Sequence, residues 1–308
     1  MERKVTIKEL VKAMELNVLA GEGGLDNVIT DTEITFPWLE LTGVFKYFQS
    51  DKINLIGSKE ATYLKELGTD LAKERVEELF THKPSAVVFS RNVDVPSYFV
   101  EFGTAHNIPI LKSDLRTTSL HSKMFGFLSS KLSPRQSVHG VLMDINGMGT
   151  LIIGKSGIGK SETALELVKR GHQLIADDRV EIYEKEVGIL IGEAPEVIAQ
   201  YLEVRGVGIV NVMHMFGAGA YRENKKIRLV IELEAWDKNK YYDRLGLDPE
   251  KVTYFNTELP KITIPILPGR NNAVLVEAAA TNQKLKYLGL DGAKTLTERI
   301  GRLARGEE

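Results

Sequence analysis

The sequence predicts an α/β protein of two domains, a small N-terminal α/β domain over residues 1–130 and a C-terminal domain over residues 131–308. Three observations predict this fold class. Short apolar runs alternate with helical patterns in the first part, strand-like runs dominate the second, and a glycine-rich loop follows one of those runs. The 308 residues suffice for two domains of ordinary size, each with its own core.

In the N-terminal domain, three apolar runs are each followed by a segment with helical spacing of its apolar residues. This alternation predicts βα units and a mostly parallel sheet. No concentrated set of catalytic side chains is evident in these residues. The runs are 53–56, 86–89 and 108–111, and the helical segments that follow them are 59–67, 97–105 and 116–128.

A polar stretch over residues 129–136, which contains Pro134, interrupts this periodicity and predicts the linker between the domains. Beyond it, strand-like runs predominate, and two helices are expected at 272–287 and 292–304. The expected strands of the C-terminal domain are 138–145, 150–153, 174–176, 180–183, 227–233 and 261–266.

An eight-residue segment after the run 150–153 fits the phosphate-binding pattern G-x-x-x-x-G-K-[ST], and a helical pattern follows it. Glycines let the backbone curl around phosphates, and the helix N-terminus favours an anion. We expect Lys160 to meet the β and γ phosphates of a nucleotide and Ser161 to offer its hydroxyl to Mg²⁺. The segment consists of Gly154, Lys155, Ser156, Gly157, Ile158, Gly159, Lys160 and Ser161.

Two adjacent carboxylates, Asp177 and Asp178, end the apolar run 174–176. The carboxyl end of a buried strand is where a nucleotide-binding protein places a Mg²⁺ ligand or a base. An Asp-Asp turn between hairpin strands is the alternative interpretation. His139 precedes the loop by one predicted strand, and a packed or surface role for it is as well supported as a catalytic one.

Glu203 and Arg205 lie in one short glycine-containing stretch. Glu203 could ligate Mg²⁺ and Arg205 could bind a phosphate through its two parallel donors, although a surface ion pair beside a glycine turn has the same pattern. The segment 217–226 resembles a mobile basic loop. Taken alone, Arg244 and Arg270 are expected to be surface residues.

Composition limits the classes of partner. Forty basic and forty-two acidic residues give a net charge of −2, so no overall field favours nucleic acid or an anionic membrane. The chain has no cysteine, which excludes disulfides, thiolate metal sites and a cysteine nucleophile. No long uncharged apolar window predicts a membrane span, and we expect a cytoplasmic protein.

Five motifs, in order along the chain, resemble bacterial HPr kinase/phosphorylase, the serine kinase of the phosphocarrier protein HPr. The N-terminal domain is similar to that family more loosely, through 39–43 and 53–57. The resemblance implies a C-terminal fold like that of phosphoenolpyruvate carboxykinase and a homo-oligomer, a hexamer. The five motifs are 154–162, 170–178, 202–212, 216–220 and 265–271.

The resemblance implies a bifunctional enzyme in the regulation of carbon metabolism. Such an enzyme uses ATP or pyrophosphate to phosphorylate a serine of HPr, and removes the phosphoryl group with inorganic phosphate. It also implies that Asp178 is the base, that 265–270 serves the reverse direction, and that Ser161 and Glu203 lie on the metal side. The implied catalytic residues are His139, Lys160, Asp178 and Arg244.

Two positions depart from the family pattern. Leu267 stands where a basic residue is expected, which bears on the phosphorylase activity, and 36–38 reads Phe-Pro-Trp in place of Arg-Pro-Gly. Two alternatives remain open, a non-catalytic binding protein gated by nucleotide and a phosphate-loop kinase of a small molecule. A GTPase is disfavoured, because Tyr242 stands where the guanine-binding motif Asn-Lys-x-Asp has its aspartate.

Overall fold

The computed structural model describes residues 3–91, 93–240, 242, 250–267 and 269–305, with only the backbone at residue 304. It divides into two compact units, Met1–Pro134 and Arg135–Glu308. Within the described residues, no helix is long and apolar enough to cross a membrane.

The N-terminal unit is built on a five-stranded sheet. Its central strands are buried on both faces, which explains why they read as mostly apolar runs in the sequence. Its described strands are β1 (Val5–Thr6), β2 (Asn17–Ala20), β3 (Val28–Ile29), β4 (Ile34–Thr35), β5 (Ile53–Ile56), β6 (Ala86–Phe89) and β7 (Ile110–Lys112).

The order in this sheet is β2-β7-β6-β5-β4, with β4 to β7 parallel and β2 antiparallel at the edge, while β1 and β3 form a separate antiparallel pair. The predicted mostly parallel sheet is confirmed. Helices cover both faces and enclose two apolar clusters. They are α1 (Ile7–Met14), α2 (Trp38–Leu41), α3 (Ser58–Glu66), α4 (Thr69–Thr81), α5 (Ser97–His106) and α6 (Thr117–Leu132).

The boundary between the two units lies within the polar stretch 129–136, but little of this stretch is irregular. Helix α6 continues to Leu132 and the next strand begins at Arg135, so only Ser133 and Pro134 separate them. Ser133 has an extended ψ of 137°. A residue before proline is sterically excluded from the helical region, so Pro134 determines where α6 ends.

The C-terminal unit contains a nine-stranded sheet and a separate two-stranded hairpin. Its described strands are β8 (Arg135–His139), β9 (Val141–Ile145), β10 (Met148–Gly154), β11 (Gln173–Ala176), β12 (Arg179–Glu186), β13 (Ile189–Glu193), β14 (Tyr201–Val204), β15 (Gly208–Asn211), β16 (Asn224–Ala235), β17 (Glu250–Tyr254) and β18 (Thr257–Ile266). Its described helices are α7 (Lys160–Lys169), α8 (Val212–Phe216), α9 (Asn272–Tyr287) and α10 (Gly292–Arg305).

The large sheet has the order β11-β9-β10-β16-β13-β12-β8, and β18 pairs with β16 and β17. Side chains of α7 and α9 share one apolar cluster with β9, β10 and β16. Strand β9 is antiparallel to both β10 and β11, so the latter two run in the same direction and end at the same edge of the sheet. This edge carries the candidate site.

The single strand predicted over 138–145 is wrong, because Gly140 divides it into β8 and β9. Strand β8 pairs with β12, whereas β9 pairs with β10 and β11. A Cβ at Gly140 would lie 2.6 Å from the carbonyl oxygen of Ile152, so this close approach of backbones requires glycine. The two C-terminal helices are confirmed, α9 with the predicted bounds and α10 with one further residue.

Candidate active site

The glycine-rich loop connects β10 to α7 at the carboxyl edge of the sheet. Gly157 has a φ of 81°, a backbone conformation that favours glycine, and it lies close to the guanidinium of Arg205, since a Cβ there would be 2.9 Å from Nη1. Gly159 is the N-cap of α7 and supplies no capping side chain. The first N–H groups of α7 are therefore available to an anion, which the helix dipole also favours.

Lys160 lies at the start of α7 and is buried. Its Nζ donates to the carbonyl oxygens of Gly154 at 3.0 Å and Lys155 at 3.2 Å, and it lies 3.1 Å from Nε2 of His139. Burial lowers the pKa of Lys160, against the opposing charges of Asp178 and Asp177. The ammonium group is thus held inside the loop, where bound phosphates would replace lost solvation.

Asp177 follows β11 and is buried beneath the loop. Both of its oxygens accept from the hydroxyl of Ser161, at 2.9 and 3.1 Å, and Oδ2 also accepts from the backbone N–H of Glu203 at 3.0 Å. Burial raises the pKa of Asp177, because these neutral partners do not replace the water that its charged form loses. A cation at this position would stabilise the carboxylate.

The oxygen atoms around Asp177 fit Mg²⁺. This ion prefers oxygen ligands and is usually held by one or two carboxylates together with waters and substrate phosphates. Ser161, Asp177 and Glu203 all line the same cleft. Among the described residues, no three His, Asp or Glu side chains form a complete metal cage, so Mg²⁺ here would need ligands from the phosphates.

Asp178 differs from its neighbour in exposure. Its side chain is 69% exposed, and its Oδ1 lies 3.1 Å from Nδ1 of His139. The backbone of Asp178 has a φ of 63°, in the left-handed region that aspartate tolerates better than most residues. The carboxylate therefore faces the open cleft, where it can accept a proton from an incoming hydroxyl group.

The hairpin of β14 and β15 closes the cleft on another side. It contributes Glu203, whose N–H orients Asp177, and Arg205, whose guanidinium lies against Gly157 of the loop. Both side chains line the cleft with the loop and the two aspartates. The hairpin therefore brings a positive charge close to the position where phosphates would bind.

Some predicted features fall outside the described residues or differ from the prediction. Arg244 falls outside the described residues, as does position 268 in the segment 265–271. The segment 217–226 is not a free basic loop. The Nζ of Lys225 lies 2.5 Å from the buried carboxylate of Asp144, and Arg222 lies 3.5 Å from the same oxygen, because a buried acid needs positive partners.

Comparison with known protein families covers both units. The family description "HPr Serine kinase N terminus" matches residues 5–128, and "HPr Serine kinase C-terminal domain" matches residues 130–300. The chain belongs to the HPr serine kinase family. Its place in the HPr serine kinase family therefore rests on both parts of the sequence and not on the glycine-rich loop alone.

Curated relatives in the HPr serine kinase family match almost the whole chain. The HPr kinase/phosphorylases of Geobacillus sp. strain WCH70, Bacillus cytotoxicus and Bacillus cereus are each 46% identical over 297 residues, 96% of this chain and 96% of each relative. A solved structure, the HPr(Ser) kinase/phosphatase from Coxiella burnetii, is 36% identical and covers 52% of this chain and 98% of its own, with a TM-score of 0.47.

The sequence assigned no separate role to Asp177. Both aspartates follow the same strand, and the pattern around them does not distinguish a buried carboxylate from an exposed one. The contact of Arg205 with the loop was not predicted, because the hairpin that carries it is distant in sequence from Gly157. The sixteen-residue spacing between Ser161 and Asp177 was the available signal, because it brings the strand after α7 directly back to the loop.

Proposed function

We propose that this chain is a bifunctional serine kinase and phosphorylase of the phosphocarrier protein HPr, with a role in the regulation of carbon metabolism. The observation that carries the proposal is the exposed carboxylate of Asp178 beside His139, whose other ring nitrogen lies 3.1 Å from Nζ of Lys160 in the phosphate loop. A candidate base and a candidate phosphate-binding cation thus flank one imidazole. The 46% identity to HPr kinase/phosphorylases supports HPr as the acceptor.

In the forward direction, the loop binds the phosphates of ATP or pyrophosphate, and the serine of HPr enters the cleft beside Asp178. The seryl oxygen attacks the terminal phosphorus while Asp178 accepts the hydroxyl proton. The bond to the leaving phosphate oxygen breaks, and ADP or phosphate departs. Lys160 stabilises the negative charge that spreads over the transferred group, and Arg205 and Arg244 are further candidates for this role.

Ser161, Asp177 and Glu203 would hold Mg²⁺ together with the phosphates. The bound ion supplies neutralisation of phosphate charge during transfer. Asp177 and Asp178 then have separate tasks. The buried Asp177 keeps a fixed carboxylate under the loop, whereas the exposed Asp178 remains free to exchange a proton with the substrate.

In the reverse direction, an oxygen of inorganic phosphate attacks the phosphorus of phosphoserine. The seryl oxygen leaves and takes the proton that Asp178 carries, and pyrophosphate is the second product. His139 lies close enough to Asp178 to orient its carboxylate in both directions. Leu267 lies just after β18, in the segment assigned to this direction.

We also propose a homo-oligomer, a hexamer, in the cytoplasm. Helix α10 supports self-association, because Leu296, Ile300 and Leu303 are 54%, 58% and 76% exposed and recur at helical spacing. A chain without cysteine fits a reducing compartment. Sedimentation velocity tests the assembly, since a protein that remains a monomer at micromolar concentration would contradict it.

The proposed function is tested by the mass of purified HPr after incubation with this protein, Mg²⁺ and ATP. We expect HPr to gain one phosphoryl group on serine and to lose it when excess phosphate is added, with release of pyrophosphate. Unmodified HPr in the presence of bound ATP would instead favour a nucleotide-gated binding protein. Pyrophosphate in place of ATP tests the second donor in the same assay.

A further inference from the structure

A stacked pair of aromatic rings, Trp236 and Tyr242, lies at the same edge of the sheet as the phosphate loop. The ring centroids are 5.0 Å apart and the planes are inclined by 20°. Trp236 directly follows β16, and its backbone N–H donates to the carbonyl oxygen of Ile266 at 3.2 Å. Since 47% of Trp236 is exposed, the indole retains a surface that a ligand can cover.

The position of Trp236 relative to the loop follows from the strand pairing. Strands β10 and β16 are parallel neighbours, with Gly154 opposite Leu233. Trp236 lies three residues further along, about 10 Å beyond that pair at the usual rise of a strand. The two aspartates follow β11, which lies on the other side of β10 in the sheet. Trp236 and the aspartates therefore flank the loop on opposite sides.

This arrangement decides where a nucleotide would extend. Its terminal phosphate would face Asp178 on the β11 side, and the loop would hold the phosphates. The ribose and base would then continue away from the aspartates, toward the carboxyl ends of β16 and β18. Trp236 lies at the carboxyl end of β16, on the path that the base would take.

Hydrogen bonds to the hydroxyl of Tyr242 hold one ring of this aromatic pair in place. The hydroxyl of Tyr242 donates to Oε1 of Glu234 at 3.0 Å and accepts from the N–H of Asp237 at 3.1 Å, while Nζ of Lys240 donates to Oε2 of Glu234 at 2.6 Å. The hydrogen bond from Lys240 lowers the pKa of Glu234, so this carboxylate stays charged and keeps both partners. Tyr242 is thereby fixed against Trp236.

We infer that the exposed face of Trp236 stacks on the base of the nucleotide donor, with Tyr242 supporting the ring. The inference rests on the proposed function, because it assigns the base end of the same donor site. An aromatic face binds any nucleobase, since every base has a π-face. The loop holds the phosphates of ATP and of pyrophosphate alike, whereas Trp236 contributes only to a donor that has a base.

The test compares binding of Mg-ADP and Mg-pyrophosphate to the full chain by calorimetry. We expect Trp236→Ala to raise the Kd for ADP by about 5- to 150-fold, the range that loss of one base–aromatic stack gives, and to leave the Kd for pyrophosphate unchanged. Trp236→Phe keeps an aromatic face and should retain most of the ADP affinity. Trp38→Ala, at a residue in the N-terminal unit that is 39% exposed, is the matched control and should change neither constant.

Two results would overturn the inference. One is an unchanged Kd for ADP in Trp236→Ala, and the other is an equal weakening of ADP and pyrophosphate, which indicates damage to the loop itself. Because these measurements need no acceptor, they are independent of phosphoryl transfer. A wild-type protein that binds both ligands and never modifies HPr contradicts the proposed function alone.

Discussion

The Oδ1 of Asp178 lies 3.1 Å from Nδ1 of His139, although the two residues belong to different strand connections. The backbone sets this contact. Strand β8 pairs with β12 so that His139 lies opposite Arg179, and the N–H of Gly140 donates to the carbonyl oxygen of Asp178 at 3.1 Å. Sheet pairing therefore holds a carboxylate and an imidazole together at the mouth of the cleft.

Replacement of the candidate base, Asp178→Asn, keeps the size of the side chain and removes its ability to accept a proton. We expect phosphorylation of HPr to fall by about 10²- to 10⁴-fold, the usual contribution of a general base, with nucleotide affinity retained. Single-turnover transfer to HPr and a separate ADP titration measure the two quantities. Near-normal transfer by this variant would remove Asp178 from the mechanism.

Replacement of the loop lysine, Lys160→Ala, should weaken both binding and transfer. Loss of a charged hydrogen-bond donor to the phosphates predicts about a 10- to 100-fold increase in the Kd for ADP. Calorimetry with Mg-ADP measures it. Lys169→Ala, at the other end of α7, changes the same net charge and should leave binding intact. Equal effects of the two substitutions would show that Lys160 acts only through the overall electrostatic field of the protein and not through direct contact with the phosphates.

Asp177 should make nucleotide binding depend on pH. Burial raises its pKa, so as the pH falls this carboxyl takes up a proton before an ordinary aspartate does, and Mg²⁺ must then displace that proton. We expect the affinity for Mg-ADP to fall as the pH drops from neutrality toward 3.8, the ordinary aspartate value. Asp177→Asn should bind more weakly at neutral pH and show a flatter profile. If Asp177→Asn showed the same steep pH dependence of Mg-ADP affinity as the wild type, Asp177 would be excluded as the group that causes it.

Stability of the N-terminal unit should depend on a pair between Asp31 and Lys52. The Nζ of Lys52, whose side chain is 6% exposed, lies 2.6 Å from Oδ2 of Asp31, which is 47% exposed. Because Asp31 is partly solvated, we expect Asp31→Asn to cost only about 1 kcal/mol in the free energy of unfolding. Urea unfolding followed by circular dichroism measures this cost, with the exposed Asp26→Asn as control.

The same pair predicts the sign of a pH effect. The hydrogen bond from Lys52 lowers the pKa of Asp31 below its ordinary value. A depressed carboxyl pKa stabilises the fold fully above the unfolded-state pKa, and this contribution is lost as the pH falls through the folded-state pKa. The difference in stability between wild type and Asp31→Asn should therefore disappear in acid. A difference that grew in acid would contradict this assignment.

Much of the fold could be predicted from local pattern. Strands β5 and β6 and helix α9 have their predicted bounds, because each is a short, mostly apolar run or a long periodic segment. The prediction of a single strand over 138–145 was wrong for the same reason. Its apolar periodicity continues through Gly140, and only pairing with different neighbours shows that it is two strands.

The sequence by itself determined the α/β class, the phosphate loop and the resemblance to HPr kinases, since each depends on residues that are adjacent or regularly spaced along the chain. The tertiary structure alone decided which of two neighbouring aspartates is buried under the loop and which faces the cleft, and that Arg205 lies against Gly157. Burial and contact depend on elements that come from distant parts of the chain. Sheet pairing and packing set them, and no local pattern encodes either.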